Sequence, residues 1–565
     1  MQNYVYTIAK VCQQFGVENV VICPGSRSAP LVYAFTENKS FNCHSVIDER
    51  SAAFMALGMA QQTLKPVVLI STSGTACLNF FPAIAEAFYQ KIPLLVLTAD
   101  RPPSLLNQQD GQMIMQKNVF GKHVKGSHEL LCFEEDKIDY FLIEQIVFQA
   151  LDESMLEQGF GPVHINVPLR EPLYNKTSQA LVPELIKNNE IKIRSANNQF
   201  PLIEELKEAW KASEKRLILI GQMPPSEELA ETLQYICQQE DVVVFSDIVS
   251  NQQATSNVPL FDAIIQFHSE EILQELVPDL IISFGGPFVS KAMKNWLKAS
   301  SPKYHFRIQL EDTLINTYQN VTHFIKADLL SYLSTFRAIR IFNNPNEKPY
   351  GNAWQKLNAN VKLAITKFHH TQIWCEPTVV KNLINNLPRN SQLQIGSSSS
   401  VRWVSWNGLN QNELSVYCNR GTSGIDGTIS TAIGAAKILP EKTVTLLCGD
   451  LSLFYDQNGF WQQELPVNLK IVVLNNHGGN IFNWIDGPSQ HPEQLPYFTT
   501  KNNLSIELLA KQYGLIYQKC ENFEELNNSL LNLYTPQTAP IILDIVFDET
   551  SNLNAIKAFK GMKLA

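Results

Sequence analysis

Two short polar motifs each follow an apolar run directly. Residues 449–452 (Gly-Asp-Leu-Ser) follow the run 443–448, and residues 475–479 (Asn-Asn-His-Gly-Gly) follow the run 469–474. Both runs predict buried parallel strands, so Asp450 and Asn476 should lie where open α/β sheets bind ligands. One carboxylate, one amide oxygen and backbone carbonyls suit a hard divalent cation whose octahedron is completed by diphosphate oxygens. Either motif alone would fit an ordinary turn, but the pair favours a metal–diphosphate site.

Three blocks of alternating strand-like and helical segments position these motifs. At 565 residues the chain is too long for one core, and the alternation predicts three doubly wound α/β domains with mainly parallel sheets. Polar stretches separate the blocks, which gives predicted domains at residues 1–182, 195–345 and 355–565. The predicted strands are 19–23, 67–71, 94–98, 163–167, 216–220, 242–245, 280–284, 305–309, 393–395, 443–448, 469–474 and 541–546.

Composition excludes several classes of protein. A hydrophobic content of 45% with 18% charged residues is typical of a globular protein, and a net charge of −9 argues against a nucleic-acid-binding surface. No apolar run is long enough to span a bilayer, and no signal peptide is recognisable. The ten cysteines lack C-x-x-C spacing, and buried free thiols are expected, for example at Cys23, Cys77 and Cys448. We therefore expect a cytosolic protein without stable membrane insertion.

The first strand is followed by Ile-Cys-Pro-Gly-Ser-Arg-Ser-Ala-Pro at residues 22–30. Ser26, Arg27 and Ser28 supply hydroxyl and guanidinium donors that suit a carboxylate or a phosphate. The alternative is a simple strand-to-helix turn in which a serine caps the helix.

Three further polar residues of the first block are candidates for a site. Glu49 begins an Ala-rich helix, where it could stabilise the macrodipole or share a proton with a ligand's ring nitrogen. Arg101 follows the strand 94–98 on the expected ligand edge, and Gln112 lies a short loop beyond.

Taken together, these segments resemble the thiamine-diphosphate enzymes, which have pyrimidine-binding, central and diphosphate-binding domains. The resemblance covers essentially the whole chain in the same order. Within that superfamily the chain is similar to the 2-succinyl-5-enolpyruvyl-6-hydroxy-3-cyclohexene-1-carboxylate synthases of menaquinone biosynthesis. The wider superfamily commonly has Gly at the position of Leu451, a departure that this synthase family tolerates, and His477 stands where the family often has Asn. The discriminating segments are residues 23–28, 98–103, 419–427 and 475–482.

The resemblance implies how the cofactor is held. Glu49 would hydrogen-bond the aminopyrimidine of thiamine diphosphate and so promote its activation. Asp450, Asn476 and the Gly478 carbonyl would bind Mg²⁺ or Mn²⁺, which grips the diphosphate. The other implied cofactor-binding residues are Ser423, Gly424, Ile425 (the apolar prop for the bent cofactor), Gly449, Leu451 and Ser452.

The resemblance also implies a transferase reaction, in which 2-oxoglutarate is decarboxylated and the succinyl carbanion adds 1,4 to isochorismate. A homodimer would be the smallest complete enzyme, with a tetramer as the alternative, because Glu49 of one subunit faces the diphosphate domain of another. The arginines of the motif loops support these substrates independently, since both substrates are dicarboxylates and arginine binds carboxylates bidentately. The implied substrate-binding residues are Arg27, Arg101, Gln112, Lys291, Arg402, Arg420, Ile481 and Phe482, and Ser26, Arg27 and Gln112 join Glu49 as catalytic candidates.

Simpler interpretations remain open at this point. A single arginine could form a surface ion pair, and Ile481 and Phe482 could be core residues. The chain could also be another thiamine-diphosphate enzyme, such as an acetohydroxyacid synthase or a 2-oxo acid decarboxylase. A non-catalytic subunit is a further alternative, although the presence of Glu49 and Asp450 argues against it.

Overall fold

The computed structural model describes residues 4–133, 137–156, 159–174, 201–338, 347–409 and 413–564. These residues form three parallel sheets with helices packed against them, which confirms the predicted fold class. The predicted domain limits at 182, 195 and 345 lie outside the described residues.

The strands of the first sheet are β1 (Asn19–Ile22), β2 (Asn42–Ser45), β3 (Val67–Ser71), β4 (Leu94–Asp100), β5 (Ser127–Glu129) and β6 (Pro162–Pro168). Their order in the sheet is β2-β1-β3-β4-β6-β5. Its helices are α1 (Tyr4–Gln14), α2 (Ala29–Thr36), α3 (Glu49–Thr63), α4 (Ala76–Asn79), α5 (Phe81–Gln90) and α6 (Tyr140–Ser154).

The second sheet is smaller and has five strands in the order β11-β10-β9-β7-β8. These are β7 (Arg216–Ile220), β8 (Val242–Ser246), β9 (Leu280–Phe284), β10 (Tyr304–Gln309) and β11 (His323–Lys326). The helices of this block are α7 (Ile203–Lys211), α8 (Glu227–Gln239), α9 (Phe261–Phe267), α10 (Glu270–Glu275), α11 (Lys291–Ala299), α12 (Leu329–Ala338) and α13 (Pro349–His370).

The third sheet has the order β13-β12-β14-β15-β17-β16. Its strands are β12 (Gln392–Ile395), β13 (Ser415–Cys418), β14 (Val444–Gly449), β15 (Leu469–Asn475), β16 (Ile516–Cys520) and β17 (Ile541–Val546). Its helices are α14 (Glu376–Asn386), α15 (Ser399–Asn407), α16 (Thr428–Ile438), α17 (Asp450–Tyr455), α18 (Leu495–Thr499), α19 (Ile506–Tyr513), α20 (Phe523–Leu533) and α21 (Glu549–Lys560).

Helix α13 refines the boundary between the second and third domains. The predicted start at residue 355 falls inside this helix, which packs against α9 and β8 of the second domain. Its apolar face, including Trp354 and Val361, is buried in a core that runs on into the third domain. We therefore group α13 with the second domain.

The first and third domains share a second core through the crossing of α3 and α16. A Cβ atom on Gly58 would overlap the carbonyl oxygen of Thr431, and one on Gly434 would overlap that of Met55. The two helix backbones can approach this closely only because both positions lack a side chain. The crossing fixes the position of Glu49 at the start of α3 and of the loop that leads into α16.

The cysteines agree with a further expectation. Cys23, Cys77 and Cys448 are buried, and all ten cysteines are free thiols, as predicted. Among the described residues, no helix combines the length and apolar character needed to cross a membrane.

We predict that Gly58→Ala destabilises the protein. In a helix interior alanine is normally more stable than glycine by about 1 kcal/mol. At position 58, however, the added Cβ must displace the Thr431 carbonyl. Overpacking of this kind costs roughly 1–3 kcal/mol. Thermal unfolding should show a lower melting temperature. Gly111→Ala is the matched control, since its Cβ meets no heavy atom of the described residues within 4 Å. Equal melting temperatures for the two variants would contradict the close helix approach.

Candidate active site

The two polar motifs lie side by side at one edge of the third sheet. Strands β14 and β15 are neighbouring parallel strands, with Gly449 opposite Leu474. Asp450, the first residue of α17, and Asn476, which follows the end of β15, therefore lie at the same edge of the sheet. A Cβ on Gly479 would lie 3.4 Å from Leu451 Cδ1, so the second motif packs directly on the first.

Asp450 is a buried carboxylate with a neutral partner. Its side chain is 1% exposed, and Asn502 Nδ2 donates to its Oδ2 at 2.9 Å. Burial raises the pKa of Asp450 to about 7, against hydrogen bonds that lower it. A bound cation would offset this cost of burial by stabilising the charged form.

The side-chain amide of Asn476 is hydrogen-bonded through its nitrogen, whereas its oxygen has no hydrogen-bond partner among the described residues. Its Nδ2 donates to Glu376 Oε1 at 2.8 Å, whereas its Oδ1 is buried without a hydrogen-bond partner among the described residues. An unsatisfied buried acceptor costs about 1–3 kcal/mol. That cost is removed when a ligand supplies the missing partner.

Gly478, in the second motif, has a backbone conformation that favours glycine. Its φ is +151°, and an added Cβ would lie 2.7 Å from the Thr499 carbonyl oxygen. The neighbouring Gly479 N–H donates to the same oxygen at 2.6 Å. This bond ties the motif to α18 and fixes the course of the backbone beside Asn476.

Glu49 lies in a separate cavity of about 490 Å³ within the first domain. Burial raises the pKa of Glu49. Its two sequence neighbours dock onto the third domain: Asp48 accepts from Asn458 Nδ2 at 2.7 Å, and Arg50 donates to the Tyr455 carbonyl at 2.6 Å. The walls of the cavity all come from the first domain and include Pro24, Gly25, Glu49, Thr72, Ser73, Gly74, Thr75, Asn79, Gln112 and Ile114.

Arg101 supports the loop that carries Gln112. Its Nε and Nη2 donate to the Gly111 carbonyl at 3.1 and 2.6 Å, and its Nη1 pairs with Asp110 at 2.9 Å. Gln112 itself is exposed and lines the Glu49 cavity. In this structure the guanidinium of Arg101 therefore orders the loop.

Arg27 is also engaged by its own domain. It is 6% exposed, its Nη1 donates to the Leu169 carbonyl at 3.1 Å, and its Nη2 pairs with the exposed Glu171. Ser26 is exposed at the turn before α2.

Arg402, Arg420 and Lys294 form a cationic group between the second and third domains. Burial lowers the pKa of Arg402, and the charge of Arg420 lowers it further. Burial likewise lowers the pKa of Lys294, with both arginines contributing. Arg420 Nε is buried and has no hydrogen-bond partner within the described ranges. The buried carboxylates of Asp247 and Asp262 raise the pKa values of Lys294 and Arg402 and so offset part of this repulsion, but the unpaired Arg420 donor still suits an anionic acceptor.

A cavity of about 950 Å³ opens beside this group and is lined by both Arg402 and Lys291. Lys291 is exposed at the start of α11. Of the two predicted apolar contacts, Ile481 is 7% exposed and belongs to the core, whereas the partly buried Phe482 packs against Phe498. The predicted contact of Ile481 and Phe482 with a substrate stays a prediction.

The loop before α16 is fixed from the first domain by Glu86. This buried carboxylate accepts from the Gly421 and Thr422 backbone N–H groups at 2.7 and 2.6 Å. Beyond this anchor, Ser423 is exposed with a φ of +64°, and Gly424 and Ile425 are partly buried. Gly449 and Leu451 are also partly buried, and Ser452 is 4% exposed.

Comparison with known proteins assigns all three domains. Residues 2–120 match the family model for the N-terminal TPP binding domain of thiamine pyrophosphate enzymes, 186–395 match the middle domain of thiamine pyrophosphate, and 396–545 match the C-terminal TPP binding domain. A 2-succinyl-5-enolpyruvyl-6-hydroxy-3-cyclohexene-1-carboxylate synthase from Cytophaga hutchinsonii is 38% identical over 560 residues, which is 98% of both chains.

Synthases of the same name give similar values. The one from Flavobacterium johnsoniae is 36% identical over 95% of both chains, and the one from Desulfotalea psychrophila is 35% identical over 97% of this chain and 99% of the relative. This chain belongs to that synthase family. The resemblance recognised in the four sequence segments is thus confirmed, and with it the expectation of a thiamine diphosphate site.

The residues present fit the cofactor that this family implies. The free Asn476 Oδ1 and the buried Asp450 offer oxygen ligands to a cation at the sheet edge, and Mg²⁺ needs only one or two such protein ligands beside phosphate oxygens. The Glu49 cavity offers a carboxylic group in partly apolar walls, which suits a ring that exchanges a proton.

Sequence reasoning missed the residues that support this site. Glu376, Glu86, Asn502 and Lys294 all lie outside the recognised motifs, and each contacts or faces a motif residue from another element. Glu86 and Glu376 occur in ordinary helical sequence, so only their complete burial marks them, and burial is visible only in the structure.

We predict that Asp450→Ala abolishes the metal-dependent binding of thiamine diphosphate. The variant lacks the only carboxylate at the two motifs, so the loss should exceed the roughly 10–100-fold typical of outer-shell partners. Calorimetric titration with thiamine diphosphate, with and without Mg²⁺, measures this loss. Asp486→Ala is a matched control at an exposed position of the same domain and should bind like the wild type. Retained metal dependence in Asp450→Ala would exclude Asp450 as a metal ligand.

Proposed function

We propose that this chain decarboxylates 2-oxoglutarate and adds the resulting succinyl carbanion 1,4 to isochorismate, giving 2-succinyl-5-enolpyruvyl-6-hydroxy-3-cyclohexene-1-carboxylate in menaquinone biosynthesis. The proposal rests on the match of nearly the whole chain to synthases of that name. The structural observation that carries it is the group Arg402, Arg420 and Lys294, with the unpaired Arg420 Nε.

Charge explains why such a group suits these substrates. Both are dicarboxylates, and the protein is acidic overall, with a net charge of −9. A substrate carboxylate would give Arg420 Nε its missing acceptor and would oppose the lowering of the Arg402 pKa that burial and the charge of Arg420 cause. Lys291, which lines the adjoining cavity together with Arg402, would hold a second carboxylate.

Thiamine diphosphate, when bound, supplies the carbanion chemistry of the reaction. The chain's own part is to bind, orient and activate it. Asp450, Asn476 and the Gly478 carbonyl would hold Mg²⁺ or Mn²⁺ against the diphosphate, with Ser423, Gly424, Gly449, Leu451 and Ser452 lining that cleft. Ile425 would support the cofactor's bent shape. Glu49 would share its carboxylic proton with a ring nitrogen, and the raised pKa favours that shared proton.

The loops beside Glu49 would orient the substrates. Gln112 lines the Glu49 cavity on a loop held by Arg101, and its amide would reach the reacting carbon. Arg27 and Ser26 lie at the neighbouring turn. We propose Arg27 and Arg101 as substrate contacts that exchange their present partners, the exposed Glu171 and the Asp110 loop, for a substrate carboxylate.

We propose that two copies of the chain build each active site. The Glu49 cavity is walled by the first domain alone, whereas the metal residues belong to the third. Large apolar side chains are exposed beside both halves of the site, as expected of surfaces that become buried between copies. They are Ile47, Leu78 and Met115 near Glu49, and Tyr455, Tyr497 and Phe498 near Asp450 and Gly478.

The function is tested by a two-substrate assay with thiamine diphosphate and Mg²⁺. We expect carbon dioxide release from 2-oxoglutarate to accelerate when isochorismate is added, and the succinylated product to be detected by mass spectrometry. Pyruvate should be a poor substrate because it lacks the second carboxylate. Fast turnover of pyruvate alone would contradict the proposal and favour an acetohydroxyacid synthase or a 2-oxo acid decarboxylase.

A complementation experiment tests the shared active site. Chains carrying Glu49→Gln and chains carrying Asp450→Ala should each be inactive alone, since each lacks one half of every site. Mixed by co-expression, they should recover about a quarter of wild-type activity, because half of the dimers are mixed and each mixed dimer has one intact site. The double variant, Glu49→Gln with Asp450→Ala on one chain, is the control and should recover none when mixed with either single variant. Absence of recovery from the two single variants would show that each chain builds its own site.

A further inference from the structure

Glu376 is a buried carboxylate surrounded by three side-chain N–H donors. It is the first residue of α14 and is 1% exposed. Its Oε1 accepts from Asn476 Nδ2 at 2.8 Å and from Asn552 Nδ2 at 2.9 Å, and its Oε2 accepts from Trp403 Nε1 at 2.6 Å. These contacts join α14, α15 and α21 to the end of β15 at one carboxylate.

The hydrogen-bond pattern makes this carboxylate an acceptor on every side where a partner is found. Burial raises the pKa of Glu376, and the three hydrogen bonds oppose that rise. The three side chains that hydrogen-bond to it, those of Asn476, Asn552 and Trp403, are all donors. Both carboxylate oxygens therefore act as acceptors, and Oε1 gives Asn476 Nδ2 its acceptor.

An asparagine amide has two ends of nearly equal size and opposite hydrogen-bonding character. Rotation of the Asn476 amide by half a turn would exchange its Nδ2 and Oδ1 at almost no steric cost. Only a neighbour that accepts at one end distinguishes the two orientations, and Glu376 Oε1 is that neighbour. The partnerless Oδ1 is thereby turned away from Glu376.

We propose that Glu376 is a positioning residue that fixes the Asn476 amide with its oxygen directed at the metal. This inference rests on the proposed role of Asn476 as a metal ligand. Without an acceptor at position 376, the amide is free to present its NH₂ group to the cation, which cannot coordinate it. A metal ligand would then be lost although Asn476 itself is unchanged.

The test is Glu376→Met, which removes the acceptor at similar volume. We expect its affinity for Mn²⁺, measured by electron paramagnetic resonance at saturating thiamine diphosphate, to fall about 10–100-fold. Trp403→Phe and Asn552→Leu are matched controls, because each removes one donor from the same carboxylate and leaves the Asn476 contact. Both should lower the melting temperature and keep wild-type Mn²⁺ affinity.

A conservative replacement should restore the function. In Glu376→Gln combined with Trp403→Phe, the amide oxygen can accept from Asn476 and Asn552 while its NH₂ group faces no donor. This double variant should bind Mn²⁺ close to wild type.

Two results would overturn the inference. One is wild-type Mn²⁺ affinity in Glu376→Met, and the other is a loss of affinity in all three single variants in proportion to their melting temperatures. Failure of the wild-type chain itself to bind Mn²⁺ with thiamine diphosphate would instead contradict the proposed metal site, so the two failures are distinguishable.

Discussion

The close crossing of α3 and α16 is the constraint on which the rest of the structure depends. Gly58 and Gly434 let the two backbones touch, and the shared core buried around them joins the first domain to the third. Both helices have residues that we propose as cofactor contacts next to their first turns, Glu49 at the start of α3 and the 423–425 loop before α16. The spacing between these two groups of one chain, which would serve two different sites in the proposed dimer, is therefore set by a backbone contact, which deforms far less than a contact between long side chains.

The site is assembled with polar atoms that the chain alone leaves unsatisfied. Asn476 Oδ1 and Arg420 Nε are both buried without partners in the described part of the chain, and burial raises the pKa of Asp450. Each of these features is unfavourable in the free protein and would become favourable if the proposed cation or carboxylate bound there. Folding would thus supply preorganised groups, and part of the binding energy would be the relief of costs already present.

The buried strands and the motif loops could be predicted from the sequence, whereas most of the edge strands and the buried residues that hold the motifs in place could not. Every strand predicted from an apolar run is present, whereas β2, β5, β11, β13 and β16 were missed. All five are edge strands with exposed or half-buried residues, so they lack the continuous apolar run that marks a strand with neighbours on both sides. Glu376 was missed for a related reason, since its partners Trp403, Asn476 and Asn552 are distant in sequence and no local pattern announces their convergence.

The Glu86 anchor has a consequence for how this protein can be recombined. Helix α4 begins at the Glu49 cavity, which Asn79 lines, and the following helix α5 carries Glu86, which accepts hydrogen bonds from the Gly421 and Thr422 amides of the third domain. The first domain therefore carries one wall of the Glu49 cavity and the anchor of the loop before α16 on a single stretch of chain. A chimera that exchanges the first domain for that of a relative must keep Glu86 and the 421–422 backbone compatible, because the inherited cavity and the inherited loop cannot be chosen independently.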